Sequence, residues 1–515
     1  MTRALPRPAA LLTALLLVVA SLLAVASGAP AQAVSGAAQR PGPGAAPRLP
    51  AVGPSGDSDG DVIGDATMYM RRLALTHDQL RGAARKQAEA SLGRPKLAGE
   101  QIICSSTVPI CVHYASSGTD APKPGGPITP AVVLSNLEHI YSVYQSSGYR
   151  MPEADHTTGG GTTQVNGQPV PVDAVDIYLA NIGGQGYYGY CAPEPLPGSN
   201  AHHTPAFCVL DNDYAEFPHG TPLSNLQVTA AHEFFHAVQF AYDATEDSWF
   251  MESTAVWMED EVFTNINDNT QYLPYGPLGK PALSLDKRTT FGVYGGWIFF
   301  RWVSEHRPQL VGQLPGIILS MWQRAAAGPH DRYSLQAVSS ALQAAGLPLR
   351  TAFAQFAAAN RDPAHTYSEG AANHYPLAAP TRTYRLNAIR RVSGNVRINH
   401  LAAATERFTP QGPKLRGKRT RLRLTLNMAP TAHGSAAMVT IFRRNGKTTV
   451  RPVKLSPRGT GFIAVPFSSQ SVKRVELTMT NASTRMQCWV GGLFSCQGQP
   501  KDMHQLERFS ALVRR

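Results

Sequence analysis

The chain has 515 residues, 43% of them hydrophobic and 16% charged, with a formal net charge of +12 at pH 7. That length exceeds what one ordinary hydrophobic core organises and predicts two or three domains. Its six cysteines show no C-x-x-C spacing, which argues against a thiolate metal site, and nothing beyond the N-terminal apolar run holds eighteen uninterrupted apolar residues, which excludes a further membrane-spanning helix.

The N-terminus reads as an export signal. Arg3 and Arg7 precede an almost unbroken apolar run from Ala9 to Ala26, and Ala31-Gln32-Ala33 supplies the small-x-small pattern of a cleavage site. Residues 1–33 are therefore expected to be removed, leaving about 480 residues outside the cytoplasm with no stable membrane insertion. Secretion agrees with an even cysteine count, and three near-neighbour disulfides are expected: Cys104 with Cys111, Cys191 with Cys208, Cys488 with Cys496.

Residues 34–60, rich in Pro, Gly and Ala, read as a flexible leader. Asp57-Ser58-Asp59-Gly60-Asp61 lacks the glycine and glutamate spacing of an EF-hand and reads as a solvated acidic turn. A first domain is expected over 61–380. Asp65–Leu92 has a helical pattern, Ile110–Tyr114 alternates like a strand, Pro130–Tyr149 reads as an amphipathic helix, and Ala174–Leu179 is a short strand. The glycine-rich stretch Ile182–Tyr190 carries neither a P-loop nor a dinucleotide fingerprint, and is expected to be a surface loop pinned by Cys191–Cys208. Leu226–Phe263 and Val293–His306 are strongly helical.

Behind Pro380 the pattern changes to alternating strands such as Leu422–Leu426, Met438–Phe442 and Val475–Met479, with Asn445-Gly446 as a hairpin signal. This predicts an all-β sandwich over 381–515. Charge divides at the same place: 25 of the 47 Lys and Arg but only 4 of the 35 Asp and Glu lie in 381–515, a net +21 there against −9 before it. Such a domain is drawn to polyanions: an anionic cell-surface polymer, anionic lipid headgroups or negatively charged substrates are the candidate partners, and a merely solvated basic surface is the alternative. Nucleic acid is not expected, since no recognition motif is present. Asn481-Ala482-Ser483 matches a glycosylation sequon, a pattern with many false positives.

The chemistry concentrates in His232-Glu233-Phe234-Phe235-His236, followed sixteen residues later by Glu252 in Trp249-Phe250-Met251-Glu252-Ser253-Thr254-Ala255. Thr229–Tyr242 contains no Gly or Pro and can form one helix, on which i and i+4 lie about 40° apart and about 6 Å along the axis. His232 and His236 can then aim imidazole nitrogens at one Zn2+ ion, with Glu233 beside them as general base. A catalytic zinc usually keeps three protein ligands, and Glu252, on a second apolar helix, is the expected third. Glu259 lies seven residues further on the same face. It either orients a ligand histidine or belongs to an exposed acidic stretch, Glu259-Asp260-Glu261, and the exposed reading is expected. His306 is expected to be a helix-end cation, while His113, His202, His203 and His219 lack ligand spacing.

H-E-x-x-H followed by aromatic-x-x-E-x-x-A resembles the gluzincin zinc metallopeptidases, most closely exported bacterial metalloproteases of that branch. Their motif carries glycine after the ligand glutamate, where this chain has Ser253. The resemblance covers roughly residues 100–310. It implies an α+β zincin-like domain with a long active-site helix, His232, His236 and Glu252 as metal ligands, Glu233 as base, a protein or peptide substrate, and Tyr294 as an oxyanion donor. Two other readings stay open: a catalytically inactive zincin-like scaffold held to a surface by its basic sandwich, and a zinc hydrolase of a non-peptide cell-wall amide.

Overall fold

A computed structural model describes residues 66–165, 168–194, 202–286, 291–328, 332–487 and 499–515. The expected signal peptide, the leader with its acidic turn, and the Cys488–Cys496 pair lie outside the described residues. Mixed α+β architecture is followed by a β-rich C-terminal part, and the described residues belong to one compact unit.

Helices α1 (Ala66–Thr76) and α2 (Gly82–Leu92) come first, then strands β1 (Gln101–Cys104) and β2 (Ile110–Tyr114), helix α3 (Pro130–Ser146), a small hairpin β3 (Thr162–Val165) and β4 (Gln168–Pro171), and strands β5 (Val175–Ala180), β6 (Gly189–Pro193) and β7 (Ala206–Asp211). Five of these strands make one sheet in the order β1-β2-β5-β7-β6. The central pairs β2/β5 and β5/β7 are parallel, and the edge strands β1 and β6 run antiparallel. Every residue of β5 and β7 is buried, as a strand covered on both faces requires. One covering layer contains α3 and the long helix α4 (Pro222–Asp243); the other face meets α1, whose Ala66 and Met70 pack with Tyr178, Tyr190 and Phe207. Disulfides Cys104–Cys111 and Cys191–Cys208 each join neighbouring strands, β1 to β2 and β6 to β7.

Helix α4 begins where the sequence stops it from extending: Pro222 occupies its first turn, and Thr221 and Ser224 form a reciprocal capping box. After a short turn comes α5 (Ser248–Val262). A short helix α6 (Gly292–Gly295), helix α7 (Trp297–His306), a two-stranded β8 (Leu310–Val311) and β9 (Leu314–Pro315), and helices α8 (Gly316–Ala325), α9 (Leu335–Ala344), α10 (Leu349–Ala359) and α11 (Pro363–Thr366) complete this part. The helices from α8 onward carry no counterpart in the sequence reading. They close the first core around α5, where Phe250 stacks on Trp322 at 4.4 Å between ring centroids.

The C-terminal strands are β10 (Arg382–Leu386), β11 (Arg391–Ile398), β12 (Ala402–Pro410), β13 (Arg421–Asn427), β14 (Ser435–Arg443), β15 (Thr448–Pro452), β16 (Thr460–Pro466), β17 (Val472–Asn481), the short pair β18 (Met486–Gln487) and β19 (Gln499–Pro500), and β20 (Gln505–Arg514). They form a five-stranded sheet, β10-β12-β17-β14-β15, and a four-stranded sheet, β11-β20-β13-β16. Inward residues of both, among them Phe408, Leu477, Leu424 and Val513, share a second core, so two sheets stack face to face as in a sandwich. The five-stranded sheet turns its other face to α10, where Ala354 and Ala358 meet Ala436 and Met438. The Asn445-Gly446 hairpin forms between β14 and β15, with Gly446 at φ +83°. Asn481 is fully buried and donates through its amide to the Asp502 carbonyl at 2.6 Å, so the sequon is inaccessible in the folded protein.

Candidate metal centre and active-site cleft

Helices α4 and α5 lie side by side and bring His232, His236 and Glu252 together. Each of the three offers one ligand atom, and these atoms all lie within 4.8 Å of one another. His232 Nε2 is 3.1 Å from Glu252 Oε2, and His236 Nε2 is 3.3 Å from Glu252 Oε1. The second pair makes no hydrogen bond: His236 Nε2 and Glu252 Oε1 are both buried and unpartnered. Two buried, unpartnered polar atoms facing each other beside a third donor form a cluster whose polar groups a bound cation would satisfy. The donor set, two imidazoles and a carboxylate, fits a divalent transition metal.

The far side of each ring is held. His232 Nδ1 lies 2.6 Å from Glu259 Oε1, and His236 Nδ1 lies 2.7 Å from Gln239 Oε1. Gln239 is itself fixed by donating to Met251 O at 2.9 Å and Thr254 Oγ1 at 3.1 Å on α5. Both Nε2 atoms are thereby turned toward Glu252. The expectation of a solvent-exposed Glu259-Asp260-Glu261 is corrected here. Glu259 and Asp260 are buried, and Glu261 is half-buried. Glu259 packs on His232, while Arg301 of α7 pairs with Asp260 at 2.9 Å and Glu261 at 3.2 Å. Counter-charges drawn from two other helices explain why a run of three acids can turn inward.

Electrostatics follow from this burial. Desolvation disfavours charge on His232, but Glu252 and Glu259 outweigh it and hold the imidazole well above its ordinary range. Desolvation also opposes ionisation of Glu252, and His236 and His232 overcome it and keep the carboxyl far below the usual carboxylate range. In Glu259 burial wins and raises the group to about 7. Glu233 is raised by burial against the pull of the two histidines.

Glu233 and His232 open onto a cleft of about 300 Å³, walled by Tyr187, Tyr188 and Gly189 on one side and Tyr272, Phe291 and Tyr294 on the other. The glycine-rich stretch is thus partly a cleft wall, more than the surface loop expected. At Gly189 a Cβ would lie 2.8 Å from Thr229 Cγ2 and 3.0 Å from Glu233 Cγ, so a larger residue would push on the helix face that carries the base. Tyr294, the oxyanion-donor candidate, lines the same cleft, its ring 6.3 Å from that of His232 and stacked on Tyr272 at 5.0 Å. His306 stacks on Trp302 at 4.2 Å and bonds the Trp302 carbonyl from the last turn of α7. His113 is buried between Glu100 and Asp176 at 2.9 Å each, far from ligand spacing.

Two residues of α1 join the site without any signal in the sequence. Thr67 Oγ1 donates to Glu233 Oε2 at 2.8 Å and accepts from the Cys191 N–H at 2.9 Å. Arg71, fully buried, reaches the turn between α4 and α5 and donates to Glu246 O at 2.5 Å and Ser248 Oγ at 3.0 Å. A second acidic group, Asp211, Asp213 and Glu216, also has oxygens within 4.8 Å of one another. Asp211 is already engaged there by the backbone N–H groups of Ile182, Gly183 and Tyr214, so it staples a loop.

No protein-family model matches the chain, and no curated protein matches its sequence. Similar solved structures include the pre-peptidase C-terminal domain of a collagenase from Bacillus anthracis, at 6% identity over 26% of this chain and 98% of that one, with a TM-score of 0.15. Another is PliG from Aeromonas hydrophila, a periplasmic inhibitor of g-type lysozyme, at 10% identity over 26% and 100% with a TM-score of 0.15. A third is the Yersinia pseudotuberculosis-derived mitogen, at 12% identity over 25% and 88% with a TM-score of 0.14. Likenesses of that size carry no argument about the site. No helix among the described residues is long and apolar enough to cross a membrane.

Proposed function

We propose that the protein is an exported zinc-dependent peptidase of the gluzincin type, with a zincin-like front domain. The observation that carries this reading is the convergence of His232, His236 and Glu252 on one point, with Glu233 beside them at the cleft wall. When bound there, a zinc ion would polarise the scissile carbonyl and acidify a water molecule. Glu233 accepts the proton of the attacking water on its carboxylate and returns it to the leaving amine. Thr67 fixes one oxygen of that carboxylate and leaves the other for the transfer. Tyr294 donates its phenol to the developing oxyanion, and Glu259 and Gln239 keep the two imidazoles oriented.

Two disulfides and an N-terminal export pattern support a place outside the cytoplasm. The basic C-terminal strands support attachment to an anionic surface polymer. The test of the activity is metal analysis of the purified protein, followed by casein hydrolysis by wild type and Glu233→Gln. A protein without zinc, or a Glu233→Gln variant as active as wild type, rejects the peptidase reading.

A further inference from the structure

We infer that the outer face of the β11-β20-β13-β16 sheet is a docking surface for a linear phosphodiester polymer. The inner residues of this sheet fill the sandwich core, and the register across it puts everything else on the opposite face. Six arginines stand there: Arg391 and Arg397 on β11, Arg508 and Arg514 on β20, Arg421 and Arg423 on β13. Arg391, Arg397, Arg508 and Arg514 are exposed, while Arg421 and Arg423 are half-buried, Arg421 donating to the Lys418 carbonyl at 3.0 Å; none of the six makes an ion pair with a carboxylate among the described residues. The four acidic residues of 381–515 explain why. Glu406, Glu476, Asp502 and Glu507 are all buried, so nothing on this face neutralises the guanidinium groups.

The pattern is built rather than diffuse. Arg421 pairs in register with Arg514, and Arg391 lies in the same row as Arg423 with Leu512 between them. From Arg391 to Arg397 the face runs about 20 Å along the strand. Between the arginine rows lie Ser393, Ser510 and Thr425, then Asn395 and Asn427. Guanidinium forks interleaved with hydroxyl and amide donors, with no acid, are the side chains that hold phosphate oxygens. The face carries arginine and no lysine, which favours bidentate oxoanion contacts over simple charge attraction.

The occupant follows from what the face lacks. Phe462, 62% exposed, is its one large aromatic, and Arg423 lies over its ring at 4.6 Å. With the half-buried Leu506 and Leu512 this is too little exposed apolar surface for insertion into a bilayer, and one ring is too little stacking platform for single-stranded nucleic acid. A chain of phosphodiesters joined by small polyols matches both the charge and the donors. The other sheet is packed against α10 and cannot offer an equivalent face.

The test uses the full chain and immobilised poly(glycerol phosphate). Binding is expected to weaken with salt, and R421Q/R423Q/R514Q to lower the affinity at least about tenfold. The same variant should make the logarithmic salt dependence shallower by about two, for three lost phosphate contacts on a single strand. A control, R444Q/K447Q/R451Q, removes three exposed charges around the β14–β15 hairpin and should change affinity less than about twofold. Melting temperatures of all variants should match wild type, since none of the six side chains is in a core. Equal weakening by the control set would overturn the proposal, because net charge would then suffice. Tighter binding per anionic group to phosphatidylglycerol vesicles, single-stranded DNA or polygalacturonate would overturn it too, by assigning the face to a different partner. The measurement does not depend on the metal centre, so a failed peptidase assay leaves it standing.

Discussion

Glu252 and Glu259, seven residues apart on α5, grip opposite nitrogens of the same imidazole: His232 Nε2 lies 3.1 Å from one carboxylate and Nδ1 lies 2.6 Å from the other. The ring is thus oriented from behind by a residue that is not itself aimed at the metal point. Glu259→Gln keeps the shape but removes the charge that fixes the tautomer. Zinc affinity, measured by competition with a chromogenic chelator, should fall about 10–100-fold. Retained affinity would mean that the contact is packing alone.

Thr67 predicts a different signature. Its hydroxyl bridges the Cys191 N–H of the sheet edge and the Glu233 carboxylate, so it sets the base without touching the metal ligands. Thr67→Val should leave metal content unchanged and reduce kcat on a peptide substrate by about tenfold, the scale of one lost hydrogen bond to a charged group. Thr67→Ser should restore most of it. A fall in zinc occupancy instead would assign α1 a purely structural part.

The contrast between Glu252 and Thr67 marks where sequence reasoning reaches. His232, His236 and Glu252 were legible because i, i+4 spacing and an apolar second helix are local patterns, and the sandwich was legible because its strands alternate. Thr67 lies 166 residues from Glu233 and sits in an ordinary helical pattern, so only the tertiary fold connects them. Glu259 had the right spacing, but three acids in a row suggest solvent until Arg301 is seen among them. Sheet order is equally hidden, since β6 pairs beyond β7 through contacts that no local period encodes.

Ser253 packs tightly across the helix interface. Its hydroxyl donates to Val293 O at 2.5 Å, and at Gly296 a Cβ would lie 2.2 Å from Ser253 Oγ. The room for the Ser253 side chain is thus left by glycine on the opposing segment. Gly296→Ala should destabilise the protein by about 1–3 kcal/mol through overpacking. Adding Ser253→Gly should recover part of that loss, a coupling readable in a double-mutant cycle of chemical denaturation. Additive effects would show that the two positions do not share the space.

Glu406 predicts how stability depends on pH. It lies on β12 between Ala404 and Phe408, both in the sandwich core, and neither of its buried oxygens has a hydrogen-bond partner. Burial raises it from an ordinary value of 4.5 to about 7, with Arg382 only partly opposing. As pH rises past 4.5 the unfolded chain loses this proton while the folded chain keeps it until about 7. The folded state therefore binds more protons in that window, and this group's contribution to stability falls as pH climbs through it, then levels off. Glu406→Met removes both the titration and the unpaired acid. Subtracting the variant's unfolding free energy from wild type's should give a difference near its most favourable at pH 4 and declining by about 3 kcal/mol up to pH 8. A flat difference curve would mean that Glu406 finds a partner or water in solution, and that the sandwich core tolerates its charge.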